Sequence, residues 1–523
     1  MKGYLKMNNY IGISGNENST ALMKVYEGVK HTEITDEFIL PDYLPDVRRI
    51  IRVDARPKID GKFITAGKVE YEGDVVCTVL FCDEENKLKT VTFTAPFSDK
   101  IELSAEDDEC IANLIPLPES ISCRMLNPRR VSLRLRIDTA ATVWCNRSFS
   151  PELSGAFNES DAEKKERDVD VLKLICSGES GLNASADLEV DGALMQIGEV
   201  ISCNVDMSFY ECKGADDKVL CRGEMPITVF YSTADGEGES YTVLFRKLPI
   251  AQVVSAEGVS DAYECMARGS VDEVKVNVAE NGFGERRIIE LDINYRIYLN
   301  CVSRDKVTVT EDIYVPGSEV KTETEKQEFC YLAKNYSKNF SVNAVFTREE
   351  LNLQSAENVF EVSAEPRIND VKLSDDGFRL IVSGVAPTSA IVKREDGLFS
   401  SEYSVPFTAE LDADGVPKDF IYNADTVCMC GKGRLDNEKI YTDLEFQINL
   451  MVLGVNSVDV LKKAEFTDAE EDTEKPQMRF FYPSEGETLW SVGKRFGISQ
   501  KELCEANKLS GEKVPEILVI PTK

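Results

Sequence analysis

Few residues of this chain could carry covalent chemistry. Its 523 residues include one histidine, His31, so Ser-His-Asp or Cys-His catalysis would have to run through that imidazole. His31 lies in a polar amino-terminal segment. No group of histidines is available for a catalytic zinc, and no G-x-x-x-x-G-K-[ST] loop or G-x-G-x-x-G turn is present to cradle phosphate. The "GKG" at Gly431 to Gly433 reads as a turn between strand-like runs. With 92 Asp and Glu residues, no carboxylate pair can be singled out as an acid and base. The 15 cysteines are scattered singly, often inside apolar runs such as "VVCTVLFC" (Cys77, Cys82). An odd number cannot all pair, so they read as small buried thiols of a reducing compartment, not a disulfide framework. Alternation places Cys428 and Cys430 on one strand face, and a lone C-x-C with no nearby histidine reads as buried thiols over a metal site. The sequence therefore points to a non-enzymatic protein with no metal or cofactor.

Charge narrows the partners. A net charge of −32 argues against nucleic acid and against electrostatic attachment to an anionic membrane. No run of eighteen apolar residues exists, so no helical span is expected. Lys2 and Lys6 are followed by polar Asn8 and Asn9, which is not the continuous apolar segment of a signal peptide.

The elements that must present any binding surface repeat. "APF" (Ala95 to Phe97), "LPI" (Leu248 to Ile250) and "VPF" (Val405 to Phe407) place prolines 153 and then 157 residues apart. A glycine-led run precedes each: "GDVVCTVLF" from Gly73, "GEMPITVFY" from Gly223 and "GVAPTSAIV" from Gly384. About forty residues after each proline comes an alternating strand, at Leu133 to Val143, Ile289 to Leu299 and Asp443 to Leu453. Pro57 and Pro366 precede their downstream prolines by 39 and 40 residues. Period-two alternation rich in Val, Ile, Phe, Tyr and Thr predicts antiparallel sheet. The chain reads as mainly β: three β-sandwich or partly open barrel repeats, then a small strand-helix-helix-strand domain. The expected division is 1–147, 185–302 and 338–463 for the repeats, with polar linkers at 148–184 and 303–337. An acidic, extended linker at 464–476 would leave the tail, 477–523, free to reach a partner. In "LPDYLPDVRRII", Pro45 and Asp46 suggest a helix start, with Val47, Ile50 and Ile51 packing inward.

In the tail, Leu489, Val492 and Phe496 recur at helical spacing and Gly497 ends the run. Ser499 and Glu502 form a capping box for a second helix, with Leu503 and Ala506 on its inner face. "RFFY" (Arg479 to Tyr482) and "EILVIP" (Glu516 to Pro521) supply the two strands.

The stretch "GETLWSVGKRFGISQKELCEANKL" resembles a LysM domain, with Glu487 for the usual Asp and Gly493 for the usual Ala. LysM domains bind N-acetylglucosamine-containing glycans in a shallow groove. Carried over, the groove would be formed by Gly486, Glu487, Thr488, Leu489 and Trp490 on one side and Asn507, Lys508 and Leu509 on the other. Leu489 also suits a core position and Thr488 a helix cap. The repeats, with "LPDYLPDVRRIIRVDA" and "EDIYVPGSEVKTETE", are similar to SPOCS domains of spore coat assembly proteins. Several such copies ending in LysM resemble coat morphogenetic proteins of the SipL/SpoVID type. That resemblance implies a scaffold in the mother-cell cytoplasm at the forespore surface, whose LysM groove meets a SpoIVA-type coat ATPase. The other reading is a protein that binds peptidoglycan or N-acetylglucosamine at the wall or cortex.

Overall fold

In a computed structural model the described residues are 20–65, 67–103, 110–155, 161–234, 240–395, 397–468, 478–509 and 514–521. The protein is mainly β, as its alternation requires, with a strand-helix-helix-strand unit at the end. The first repeat contains β1 (Thr20–Ile39), β2 (Arg49–Thr65), β3 (Lys68–Cys82), β4 (Leu88–Glu102), β5 (Cys110–Asn127) and β6 (Arg130–Ser148). After the short β7 (Glu152–Gly155), the second contains β8 (Glu163–Glu189), β9 (Ile197–Val205), β10 (Ser208–Ala215), β11 (Lys218–Thr233), β12 (Tyr241–Ser255), β13 (Glu264–Glu280) and β14 (Arg286–Tyr314). The third contains β15 (Ser318–Thr347), β16 (Ala356–Ala364), β17 (Arg367–Leu373), β18 (Arg379–Arg394), β19 (Gly397–Asp412), β20 (Phe420–Asp436) and β21 (Lys439–Asp468). The tail is β22 (Met478–Phe481), α1 (Leu489–Phe496), α2 (Gln500–Asn507) and β23 (Leu518–Pro521).

Repeat one is two three-stranded sheets, β1-β6-β5 and β2-β3-β4, packed over a core that includes Val75, Cys77, Leu133, Leu135 and Ile137. Repeat three has the same plan, with β15-β21-β20 facing β16, β18, β17 and β19. In repeat two a single bridge, Lys213 to Glu264, joins the two halves into one sheet. The glycines of the repeat do the same work three times. Gly73, Gly223 and Gly384 each pair with the residue after the repeat proline, namely Phe97, Ile250 and Phe407. A Cβ on them would stand 1.9 Å from Lys58 O, 2.1 Å from Ser208 O and 2.2 Å from Arg367 O. Only a residue without a side chain lets the neighbouring strand come that close. Gly223→Ala is therefore expected to cost about 1–3 kcal/mol in a urea melt. Gly181→Ala, in open space on β8, should stay within about 1 kcal/mol of the native chain. Equal effects at the two sites would show that the close approach is not what fixes Gly223.

Among the described residues, most of the expected polar connections are strand. Residues 163–184 and 303–337, read from composition as linkers, lie almost wholly in β8, β14 and β15, each of which continues past its own repeat. Alternate residues there, Val169 and Val171, Val307 and Val309, together with Phe329, meet Ala21, Met23, Val458 and Val460 in one core. Three two-stranded ribbons (β1/β6, β8/β14, β15/β21) thus share a stem. The charged residues that dominated the composition occupy the alternate, outward face. The acidic segment differs as well: residues 464–468 belong to β21, and 469–476 lie outside the described residues.

A second shared core joins the repeats, with equivalent residues from each. Leu80, Phe230 and Ile391 stand seven residues after the three glycines, and Leu88, Tyr241 and Leu398 eight before the three prolines. All six are buried in one cluster. Polar links add to it: Lys89–Glu199 at 2.5 Å, Lys247–Glu445 at 2.8 Å, Arg296–Asp60 at 2.9 Å and Arg367–Glu119 at 3.1 Å.

Three local expectations are corrected. The segment after Pro45 forms no helix: the Arg129 guanidinium binds the carbonyls of Leu40, Pro41 and Leu44, and β2 starts at Arg49. Val47 and Ile51 are buried nonetheless. The "GKG" is strand within β20, where Cβ atoms on Gly431 and Gly433 would meet Val362 O and the Val359 and Val362 side chains, each at 2.6 Å. The glycines there admit a crossing strand instead of making a turn. Cys110 and Cys145, directly opposite across β5 and β6, form a disulfide, so the thiols are not all free as composition suggested.

Candidate functional site

The tail folds as its caps dictate. Thr488 accepts a hydrogen bond from Ser491 N–H, and Gly497 closes α1 at φ 63°. Ser499 and Glu502 form the capping box of α2. Leu489, Val492, Leu503, Leu518 and Ile520 make the core. Ala506, expected on the inner face, is exposed.

The candidate groove residues divide by what their side chains already do. Gly486, at φ 89°, forms an exposed turn. Glu487 accepts from Ser484 N–H at 2.7 Å and faces Arg495. Thr488 is the α1 cap and Leu489 is core. Asn507 pins β23: its Nδ2 donates to Val519 O at 2.7 Å, and Val519 N–H donates to Oδ1 at 2.6 Å. Lys508, at φ 54°, caps α2 and is exposed, while Leu509 packs partly on the core. Six of the eight surround the turn before α1 and the end of α2; Leu489 points inward.

Trp490 turns away from them, onto the stem. Its Nε1–H donates to Asp312 Oδ2 at 2.9 Å, and its ring meets Tyr314 edge-on at 4.9 Å between centroids. Lys494 Nζ donates to the other Asp312 oxygen at 2.5 Å. The Tyr314 hydroxyl donates to Ile498 O at 3.0 Å; burial pushes this phenol's pKa up, so it keeps its proton. The tail is therefore seated on the end of β14 instead of trailing from it. Gly493 is what makes the seat fit. A Cβ there would lie 2.5 Å from Tyr314 Oη and 2.9 Å from Ile498 O. The residue that departs from the usual LysM alanine stands where the stem tyrosine inserts. Asp312, Tyr314 and Lys494 escaped the sequence reading; the Gly493 departure was the available signal.

Gly493→Ala should raise the intrinsic helix propensity of α1 by about 0.5–1 kcal/mol yet unseat the tail. The measurement is the emission of Trp490 with the second tryptophan, Trp144, replaced by phenylalanine. A red shift at unchanged circular dichroism is expected; an unshifted spectrum would mean that the contact tolerates a methyl group.

The other candidate chemistry is plain. His31 Nδ1 lies 2.7 Å from Asp138 on an exposed ion-pair patch with Arg136. A β-bulge falls between Cys428 and Cys430, with Met429 buried between them, so the pair does not share one clean strand face. Among the described residues no group of three or more His, Cys, Asp or Glu side chains is arranged for a metal, and no helix is long and apolar enough to cross a membrane.

Comparison with known families agrees with the two kinds of unit. A family model described as "SipL, SPOCS domain" matches residues 46–126 and 196–279, and the LysM domain model matches 484–517. The chain carries SipL-type SPOCS domains and a LysM domain. The first two matches run from just before β2 to the end of β5, and from the start of β9 almost to the end of β13. The third repeat lies outside the matched residues, although its Gly384–Phe407 register copies theirs. No curated protein and no solved structure matches the chain. SPOCS and LysM domains are binding modules without catalytic function, and they make this a sporulation-related protein with a LysM module of the peptidoglycan-binding type. The SipL domain associates it with the spore coat.

Proposed function

We propose that the chain is a non-enzymatic scaffold of spore coat assembly, working in the mother-cell cytoplasm at the forespore surface. Its LysM domain binds a SpoIVA-type coat ATPase through the rim of Gly486, Glu487, Thr488, Asn507, Lys508 and Leu509. Trp490 and Leu489, carried over as groove contacts, serve the seat and the core. The third repeat acts as another SPOCS unit. The observation that carries the proposal is the seating of the LysM domain on the stem through Asp312 and Tyr314. A module fixed to three interlocked repeats presents its rim in one orientation, and fixed orientation reduces the ordering cost of assembling a layer. Further contacts from the repeats would add through effective concentration.

A second reading, binding of N-acetylglucosamine glycan, is favoured by the LysM match itself. The test is calorimetric titration of the full chain with a SpoIVA-type ATPase and, separately, with N-acetylglucosamine oligomers. Lys508→Asn removes the rim charge but keeps the left-handed backbone that asparagine tolerates. Binding to the ATPase alone, weakened in this variant, supports the scaffold. Saturation by the oligomers alone replaces it with the glycan reading.

A further inference from the structure

Five cysteines form a row across the sheet of the second repeat, one on each of five neighbouring strands. Cys221 of β11 pairs in register with Cys212 of β10. The β10–β13 bridge at Lys213 and Glu264 sets Cys212 beside Cys265. Cys265 of β13 pairs with Cys301 of β14, and Cys301 with Cys176 of β8. Directly opposed residues of antiparallel strands project to the same face, and all five face one core. The thiols of each opposed pair are close enough to shift each other's titration. Opposed Cα atoms about 4.5–5.5 Å apart fall within the span of a disulfide. Cys110 and Cys145 in the first repeat are bonded in this cross-strand manner. Cys176, Cys221, Cys265 and Cys301 are buried, and only Cys212 reaches the surface in part.

We propose that this row is a thiol–disulfide relay that takes up oxidising equivalents at Cys212 and ends with two cross-strand bonds, Cys212–Cys221 and Cys265–Cys301. The oxidant is a low-molecular-weight disulfide. Cys212, the partly exposed thiol of the row, gives up its proton and attacks it, forming a mixed disulfide and releasing one thiol. Cys221 then attacks the Cys212 sulfur and releases the second thiol. Cys265, beside Cys212, attacks that sulfur in turn and frees Cys221. Cys301 attacks Cys265, which frees Cys212 and leaves the inner bond. A second oxidant molecule rebuilds Cys212–Cys221. Two disulfides are consumed, four small thiols are released and four protein thiols are oxidised. The product ties β10 to β11 and β13 to β14 on either side of the single bridge that joins the two halves of the repeat.

The test is a time course of the full chain with oxidised glutathione, quenched with N-ethylmaleimide and mapped by peptide mass spectrometry. Both linkages should form, Cys212–Cys221 first, with Cys176 still alkylated. Cys212→Ser should slow the inner bond at least about tenfold, because its buried thiols lose their route to the oxidant. Cys176→Ser should leave both bonds unaffected. Thermal melts of the reduced variants confirm that each is folded. All five thiols remaining alkylatable after prolonged exposure, or an inner bond that forms at the native rate without Cys212, would overturn the relay.

Discussion

Glu361→Ala is expected to destabilise the β body by about 3–5 kcal/mol. Glu361 of β16 is 1% exposed in its side chain and receives Arg52 Nη1 at 3.0 Å from β2 of the first repeat. The Arg52 side chain is 3% exposed, and its remaining partners are Asp54 at 2.9 Å and Ser389 at 3.4 Å. Burial works against the guanidinium's charge, and Glu361 and Asp54 together more than offset it. Removing Glu361 leaves that charge inside the contact between repeats with only half-exposed Asp54 to face it. The pair itself is a weak stabiliser, because two ions had to be desolvated to form it. Glu361 Oε1 is buried without a partner, which adds to that cost. The double variant Arg52→Met/Glu361→Leu should therefore recover most of the single loss. Urea melts of the single and double variants decide the matter: a single loss below about 1 kcal/mol would mean that water reaches the pair.

What the sequence revealed and what it hid follow from the range of each signal. Alternation and capping act within a few residues, so the strands around Gly73, Gly223 and Gly384, the cap at Thr488 and the capping box at Ser499 were legible. The shared stem was not, because Val169, Val171, Val307 and Val309 alternate with Asp, Lys and Thr, and averaged composition reports only a polar segment. The plug of Leu80, Phe230 and Ile391 was hidden for another reason. Its residues sit in strands that already have a core to fill, and nothing local says which face meets a neighbouring repeat. At the candidate site, the core and cap roles of Leu489 and Thr488 could be weighed from spacing alone. The partner of Trp490 could not, since Asp312 lies 178 residues away. Only the glycine at 493, in place of the usual alanine, carried a trace of that contact along the chain.

The plug supplies the sharpest test of whether the three repeats behave as one body. Phe230 is fully buried, 5.6 Å from the Tyr241 ring, which in turn meets Phe360 of the third repeat at 5.8 Å. The Tyr241 hydroxyl also accepts from Leu88 N–H of the first repeat at 3.4 Å. One aromatic pair thus touches all three repeats. Phe230→Ala should cost about 3–5 kcal/mol, the usual loss for emptying a buried phenylalanine site. Its signature matters more than its size. If the repeats share their stability through the plug and the stem, calorimetry should show the whole β transition moving to lower temperature as one unit. Independent repeats would show two transitions unmoved and one displaced, because Phe230 belongs to the second repeat alone. Val229→Ala, one residue away, supplies the control. Val229 fills the private core of that repeat, and deleting its two methyl groups removes no contact with the others, so its smaller loss should also move the transition as a whole only when coupling between repeats is real. A displaced fraction in both variants would dissolve the single body into separate domains, and with it the fixed orientation on which the scaffold reading rests.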